Sequence, residues 1–189
     1  MKRILFAALL CAMTSLTGCD KLKDAVSRDI KVNNVKFEFN ATASDNMATS
    51  SAAVATKAGG MDNSFTVTRS VNISELGNSD LEEYASKINK IMVNSSLLNI
   101  TTVPAGSYSV SDVTITAVGV TGSLSIASYT LGGVFTPPAN MISYTIAFVD
   151  KLLHDKTITV TVTGKTDAPS GTVVNVSYES DMVFTVSLI

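Results

Sequence analysis

The side chains that could do chemistry in this chain are few and stand apart. His154 is the only histidine, so any histidine-dependent triad needs it as the base, with a hydroxyl nucleophile and a supporting carboxylate. No Gly-x-Ser-x-Gly string accompanies it, and a histidine at the end of a helical stretch interacts well with the terminal carbonyls without any catalytic role. Glu179-Ser180-Asp181 sets two carboxylates on an expected bend between strands, and Asp150, Asp155 and Asp167 are further acids that a fold can bring to them. Such oxygen clusters suit calcium, and a carboxylate pair at a defined separation suits glycoside hydrolysis. No Asp-x-Asp-x-Asp-Gly loop is present, so a solvated turn is the better reading. Gly164-Lys165-Thr166 matches the end of a phosphate-binding loop, yet the required earlier glycine is Thr159 and the segment reads as a strand end, which makes the match a chance one.

Recognition through aromatic platforms has little material, because the chain has no Trp. Tyr129-Thr130-Leu131-Gly132-Gly133-Val134-Phe135-Thr136-Pro137-Pro138 is the segment that stands out, with aromatic side chains flanking a loop shaped by glycine and proline. Tyr129 and Phe135 are therefore the candidate ligand-binding anchors. No metal site and no cofactor are expected.

These residues must be positioned by strands. From residue 30 onward the chain is rich in Val, Ile, Thr and Ser, and apolar residues recur with a period of two. Val35, Phe37 and Phe39 point one way in a first strand over about 30–40, and Phe65, Val67, Val71 and Ile73 in a second, where Arg69 breaks the pattern and belongs at an edge or in solvent. Between them, fifteen of the twenty residues from Ala41 to Gly60 are Ala, Ser, Thr or Gly, which reads as a long loop, with a weak helix over 48–58 as the alternative. Ser79 with Glu82 reads as a capping box, and Leu81, Tyr84, Ala85, Ile88, Ile91 and Met92 recur at helical spacing, which predicts a helix over 80–92 covering a sheet.

Strands follow at Leu97–Val103, at Tyr108–Val118 with a phase slip near Asp112 that signals a bulge, and at Ser123–Leu131. Residues 141–153 fit a second short helix or a strand, with the helix preferred. Thr157–Thr163, Thr172–Tyr178 and Met182–Leu188 complete the strands. Strands spaced about ten residues apart predict a mainly β fold: an antiparallel β-sandwich, Ig-like or a related two-layer arrangement, with one or two short helices packed on it.

The N-terminal segment carries the most specific signal. Lys2 and Arg3 precede an apolar run from Ile4 to Met13, which is too short to span a bilayer, and Leu16-Thr17-Gly18-Cys19 follows. This arrangement is that of a secretory signal, and Leu16-Thr17-Gly18-Cys19 resembles the lipobox of bacterial lipoproteins. The resemblance implies removal of residues 1–18, lipidation of Cys19 and a mature chain that begins there. Two or more acyl chains make such an anchor effectively permanent, each buried CH₂ contributing about 0.8 kcal/mol. Asp20-Lys21-Leu22-Lys23-Asp24 resembles the charged export tags of Bacteroidota surface lipoproteins, whereas Asp20 directly after the cysteine is an inner-membrane retention signal in some bacteria. The resemblance thus implies the cell envelope and leaves membrane and leaflet open.

On this reading residues 19–29 form a charged, solvated tether and 30–189 a single β-rich domain. Without Lys2 and Arg3 the remaining basic residues are outnumbered by 16 acidic ones and form no cluster, which excludes nucleic acid as a partner. Cys11 falls in the signal and Cys19 carries lipid, so the domain has no thiol for catalysis, disulfides or metal. The function expected is that of a non-catalytic envelope lipoprotein for binding or assembly. Its membrane contact runs through Cys19, and an envelope protein or glycan is the partner. A carboxylate- or calcium-dependent hydrolase, or a fibre or adhesin subunit exchanging edge strands, are the alternatives.

Overall fold

A computed structural model describes residues 27–45, 63–131 and 137–188. The elements run β1 (Ser27–Thr42), β2 (Ser44–Asp45), β3 (Asn63–Asn72), a 3-10 turn (Ile73–Leu76), α1 (Asp80–Tyr84), a second 3-10 turn (Ala85–Lys87), β4 (Ile88–Val103), β5 (Ser109–Ala117), β6 (Leu124–Thr130), α2 (Met141–Asp155), β7 (Thr157–Thr166) and β8 (Val173–Ser187). The strands form two antiparallel sheets: sheet A in the order β1-β8-β4 and sheet B in the order β2-β3-β7-β5-β6. The expected mainly β, two-layer architecture with short helices is therefore what the chain adopts.

The alternation read from the sequence is the burial pattern of the sheets. Val35, Phe37 and Phe39 on β1 are 2–3% exposed, while Lys36, Glu38 and Asn40 between them face outward. At Ala43, buried between two strands, the chain leaves sheet A and continues as β2 of sheet B. The Ala43 amide donates to the Thr172 carbonyl at 2.8 Å, and the Gly171 amide donates back to Ala43 at 2.8 Å, which satisfies both groups at this crossing. One apolar core joins both sheets and α2. Helix α2 buries the stripe Met141, Tyr144, Thr145, Val149, Leu152 and Leu153, so the helical alternative for residues 141–153 holds, with two further residues at its end.

Five expectations are corrected. The helix over 80–92 lasts only five residues, and Ile88, Ile91 and Met92 lie on β4. Leu81 is fully buried, but Ile88 and Ile91 are only half-buried, because antiparallel pairing with β8 from Ile88 to Val103 overrides the local helical spacing. Ser79 makes no cap bond; the capping box that forms is Asn72 with Glu75. The solvated tether ends earlier than residue 29, since Ser27, Arg28 and Asp29 already pair with Ser187, Val186 and Thr185.

The fourth correction concerns Glu179-Ser180-Asp181, which is no bend: β8 runs straight through it as the central strand of sheet A. The irregularities lie instead in its two neighbours, between Val32 and Val35 on β1 and between Val93 and Ser95 on β4. The expected bulge near Asp112 is present, with a register shift between Ser111 and Thr114 and Asp112 at φ 52°. The loop read from Ala41 to Gly60 is corrected at its start, where Ala41 and Thr42 end β1 and Ser44–Asp45 form β2 because each stretch finds a partner strand; the rest, with the helix alternative over 48–58, lies outside the described residues.

Candidate functional site

Among the described residues, two places set polar side chains beside a cavity or a groove. The first is internal, where α2 crosses the inner face of sheet A. Phe148 meets Phe37 edge-on at 5.4 Å, and Phe37 stacks on Tyr178 at 6.4 Å. The Tyr178 hydroxyl lies 2.7 Å from Thr145 Oγ1 and 2.9 Å from Ser96 Oγ. Thr145 Oγ1 is also 2.8 Å from the Met141 carbonyl, which can only accept, so its proton points there. The chain of donors is then fixed: Ser96 donates to Tyr178, Tyr178 to Thr145 and Thr145 to Met141. This relay ties β4, β8 and α2 together through groups that would otherwise be costly to bury.

A cavity of about 40 Å³ adjoins this relay, lined by Phe37, Phe39 and Phe148 together with Ile115, Leu124 and Tyr144. It exceeds the space one water requires but is far below the several hundred Å³ of a ligand pocket. The Tyr144 hydroxyl is buried and approaches the Ala117 backbone without closing a well-aligned hydrogen bond. Burial pushes its ionisation upward. Chemically this cavity is a packing gap with one unmet hydroxyl.

The second place is the open groove between β1 and β3, lined by Lys36, Glu38, Asn40, Arg69 and Glu75. Arg69 Nη1 donates to both Glu75 oxygens, at 2.9 and 3.1 Å, and the guanidinium lies 4.7 Å above the Phe39 ring. Arg69 is thus at the edge, as its break in the pattern indicates, but half-buried and paired instead of reaching solvent. Lys36 holds Glu38 at 2.7 Å and Glu179 at 3.4 Å. The hydrogen bond to Glu38 leads in raising the lysine's ionisation, so it is cationic throughout the neutral range. Its cations and carboxylates are matched within the groove, which makes it a polar surface able to exchange partners and not a site with stored charge.

The remaining candidates are dispersed. Asp181 accepts from the Asn34 amide at 2.9 Å and from Ser95 Oγ at 2.9 Å, and Ser95 Oγ accepts the Asp181 amide. These bonds, that of Asn34 first, hold its carboxyl below the ordinary aspartate range. One side chain thereby clamps the bulges on both flanks of β8, and Asn34 supplies the left-handed turn, at φ 58°, that asparagine tolerates well. Asp150 faces His154, Asp155 pairs with Lys151 at 2.8 Å, and Asp167 accepts from the Ser109 amide at 2.7 Å. Among the described residues no three His, Cys, Asp or Glu side chains stand close enough to hold a metal.

His154 is exposed at the end of α2, its Nδ1 donating to the Asp150 carbonyl at 2.8 Å, which is the helix-end role. Gly164-Lys165-Thr166 lies within β7, with Lys165 paired to Asp112 and Thr166 fully buried, as the chance reading requires. Tyr129 is 9% exposed on β6 and belongs to the core cluster, so its ring packs against the interior and offers no open contact surface. Phe135 and Cys19 lie outside the described residues. The Asn72–Glu75 box and the Arg69–Glu75 pair were missed from the sequence, although Asn72-x-x-Glu75 is a capping pattern and could have been found.

Comparison of the chain with protein-family models, with curated proteins and with solved structures finds no match. No described helix is long and apolar enough to cross a membrane.

Proposed function

We propose that this chain is a bacterial envelope lipoprotein, anchored through Cys19, whose β-sandwich serves binding or assembly at a membrane surface and not catalysis. The observation that carries this reading is Leu16-Thr17-Gly18-Cys19 placed directly behind the apolar run Ile4 to Met13. Seven residues separate Cys19 from Ser27, and even a fully extended chain of that length reaches only about 28 Å. An anchored domain is therefore held with the Ser27 end of sheet A, and the neighbouring Ser187 and Ile88, close to the lipid headgroups.

The hydrolase alternative needs a carboxylate pair facing an open substrate site, and it gains little support from Glu38 and Glu179, which share Lys36, or from Asp155, Asp167 and Asp181, which engage partners elsewhere. The partner in this reading is an envelope protein or glycan met at the membrane surface. Replacement of Cys19 by Ser tests the anchor. With a labelled fatty acid in the growth medium, the native chain takes up label and the C19S chain takes up none and keeps residues 1–18. Label at the native level on C19S overturns the reading.

A further inference from the structure

The two edges of sheet A are built in opposite ways. β1 carries Arg28, Asp29, Lys31, Lys36 and Glu38 and a bulge at Val32/Val35, the devices that keep an edge strand from pairing with another chain. β4 has no charged residue after Lys90 and no proline before Pro104, so the whole stretch from Ile91 to Val103 is unguarded by side chains. Its last bulge lies between Val93 and Ser95, and from Ser95 to Val103 it follows β8 in unbroken register. Among the described residues nothing pairs with its other side. Helix α2 packs against β4 and reaches across the inner face of the sheet, where Thr145 and Phe148 meet Tyr178 and Phe37. On the outer face Leu97 and Val103 are 53% and 65% exposed.

We propose that this edge of β4 pairs antiparallel with β4 of a second copy of the chain, joining two three-stranded sheets into one of six strands. Self-complementarity selects the occupant. A two-fold axis through Asn99, the midpoint of the regular stretch, sets Ser95 opposite Val103, Leu97 opposite Thr101 and Leu98 opposite Ile100. Inner side chains stay on the inner side, and the exposed Leu97 gains Val103 of the second copy as a diagonal neighbour. No like charges meet anywhere along this pairing, whereas β3 presents Arg69 and β6 offers only seven residues. Because the contact is isologous it closes on itself, giving dimers and not fibres. The pairing does not rest on the lipid anchor, although anchoring would favour it by confining both copies to one surface.

The test is sedimentation of the full chain in mild detergent from micromolar to millimolar concentration. The native chain goes from monomer to dimer as concentration rises. Asn99 is exposed, and N99K or N99D sets like charges opposite one another at the axis. Each variant alone stays monomeric with an unchanged melting temperature, and an equimolar mixture of the two recovers the dimer. Ser125→Lys, exposed on the β6 edge, leaves the dimer intact. Should the charged variants fail to fold, N99C decides: oxidation yields a disulfide mapped to position 99 in both chains. A native chain that stays monomeric with no such disulfide, a dimer untouched by both charges at position 99, or a dimer lost in S125K overturns the proposal.

Discussion

Two buried tyrosines lie close to one cavity and have opposite hydrogen-bond status. Tyr178 accepts from Ser96 and donates to Thr145, while the Tyr144 hydroxyl closes no bond. Tyr178→Phe should therefore cost about 1–3 kcal/mol, since it breaks two bonds and strands the Ser96 hydroxyl. Tyr144→Phe removes a buried group that has no partner, and should leave stability unchanged within about 0.5 kcal/mol or raise it. Urea unfolding at constant slope measures both, and equal losses would contradict the relay. Asp181 gives a pH signature. Its folded-state ionisation lies below the ordinary aspartate value, so its contribution is present above that value and disappears as pH falls through the folded one. Asp181→Asn should accordingly be less stable than the native chain at pH 7, with the gap closing below about pH 4, as followed by melting temperature across the acid range.

At the scale of elements, β3 and β7 are matched through a glycine. Phe65 stands opposite Gly164, and a Cβ built at Gly164 would collide with the Phe65 ring, coming within 2.7 Å of Cε1. The ring is 1% exposed and fills the space that a side chain at Gly164 would take. Gly164→Ala should thus destabilise by about 1–3 kcal/mol, and Phe65→Leu in the same chain should recover part of the loss, a coupling that a double-mutant cycle reads directly. The glycine that looks like part of a phosphate loop in the sequence is explained by this cross-strand contact. In β4, by contrast, the helical spacing from Leu81 to Met92 was legible but led to the wrong element. A window of a dozen residues carries both periods, and only the partner strand decides between them.

For the whole molecule, one core runs through both sheets and α2, with residues of every layer in contact. The described domain should unfold in a single cooperative transition, with far-ultraviolet and near-ultraviolet dichroism melting at the same temperature. Two separate transitions would mean that the sheets are independent units. The same continuity explains why the interior is poor ground for a ligand site: the cavity beside α2 is small because both sheets and the helix converge on it. Among the described residues, the outside carries the charged groove between β1 and β3 and the stretch of β4 beyond Lys90 that bears no charge.

The sequence by itself determined the strands of β1, β3, β5, β6 and β7, because burial of one face of a sheet imposes a period of two that any local window displays. It determined the Asp112 bulge through a slip in that period, and it alone carries the lipobox expectation at Cys19. The tertiary structure decided whatever depends on a partner distant in the chain. It extended β4 back to Ile88, ran β8 straight through Glu179-Ser180-Asp181, seated Tyr129 in the core and paired Arg69 with Glu75 above Phe39. Each outcome rests on backbone pairing or apolar contact with residues that local sequence does not name, and those long-range terms outweigh the few tenths of a kcal/mol per residue of local preference.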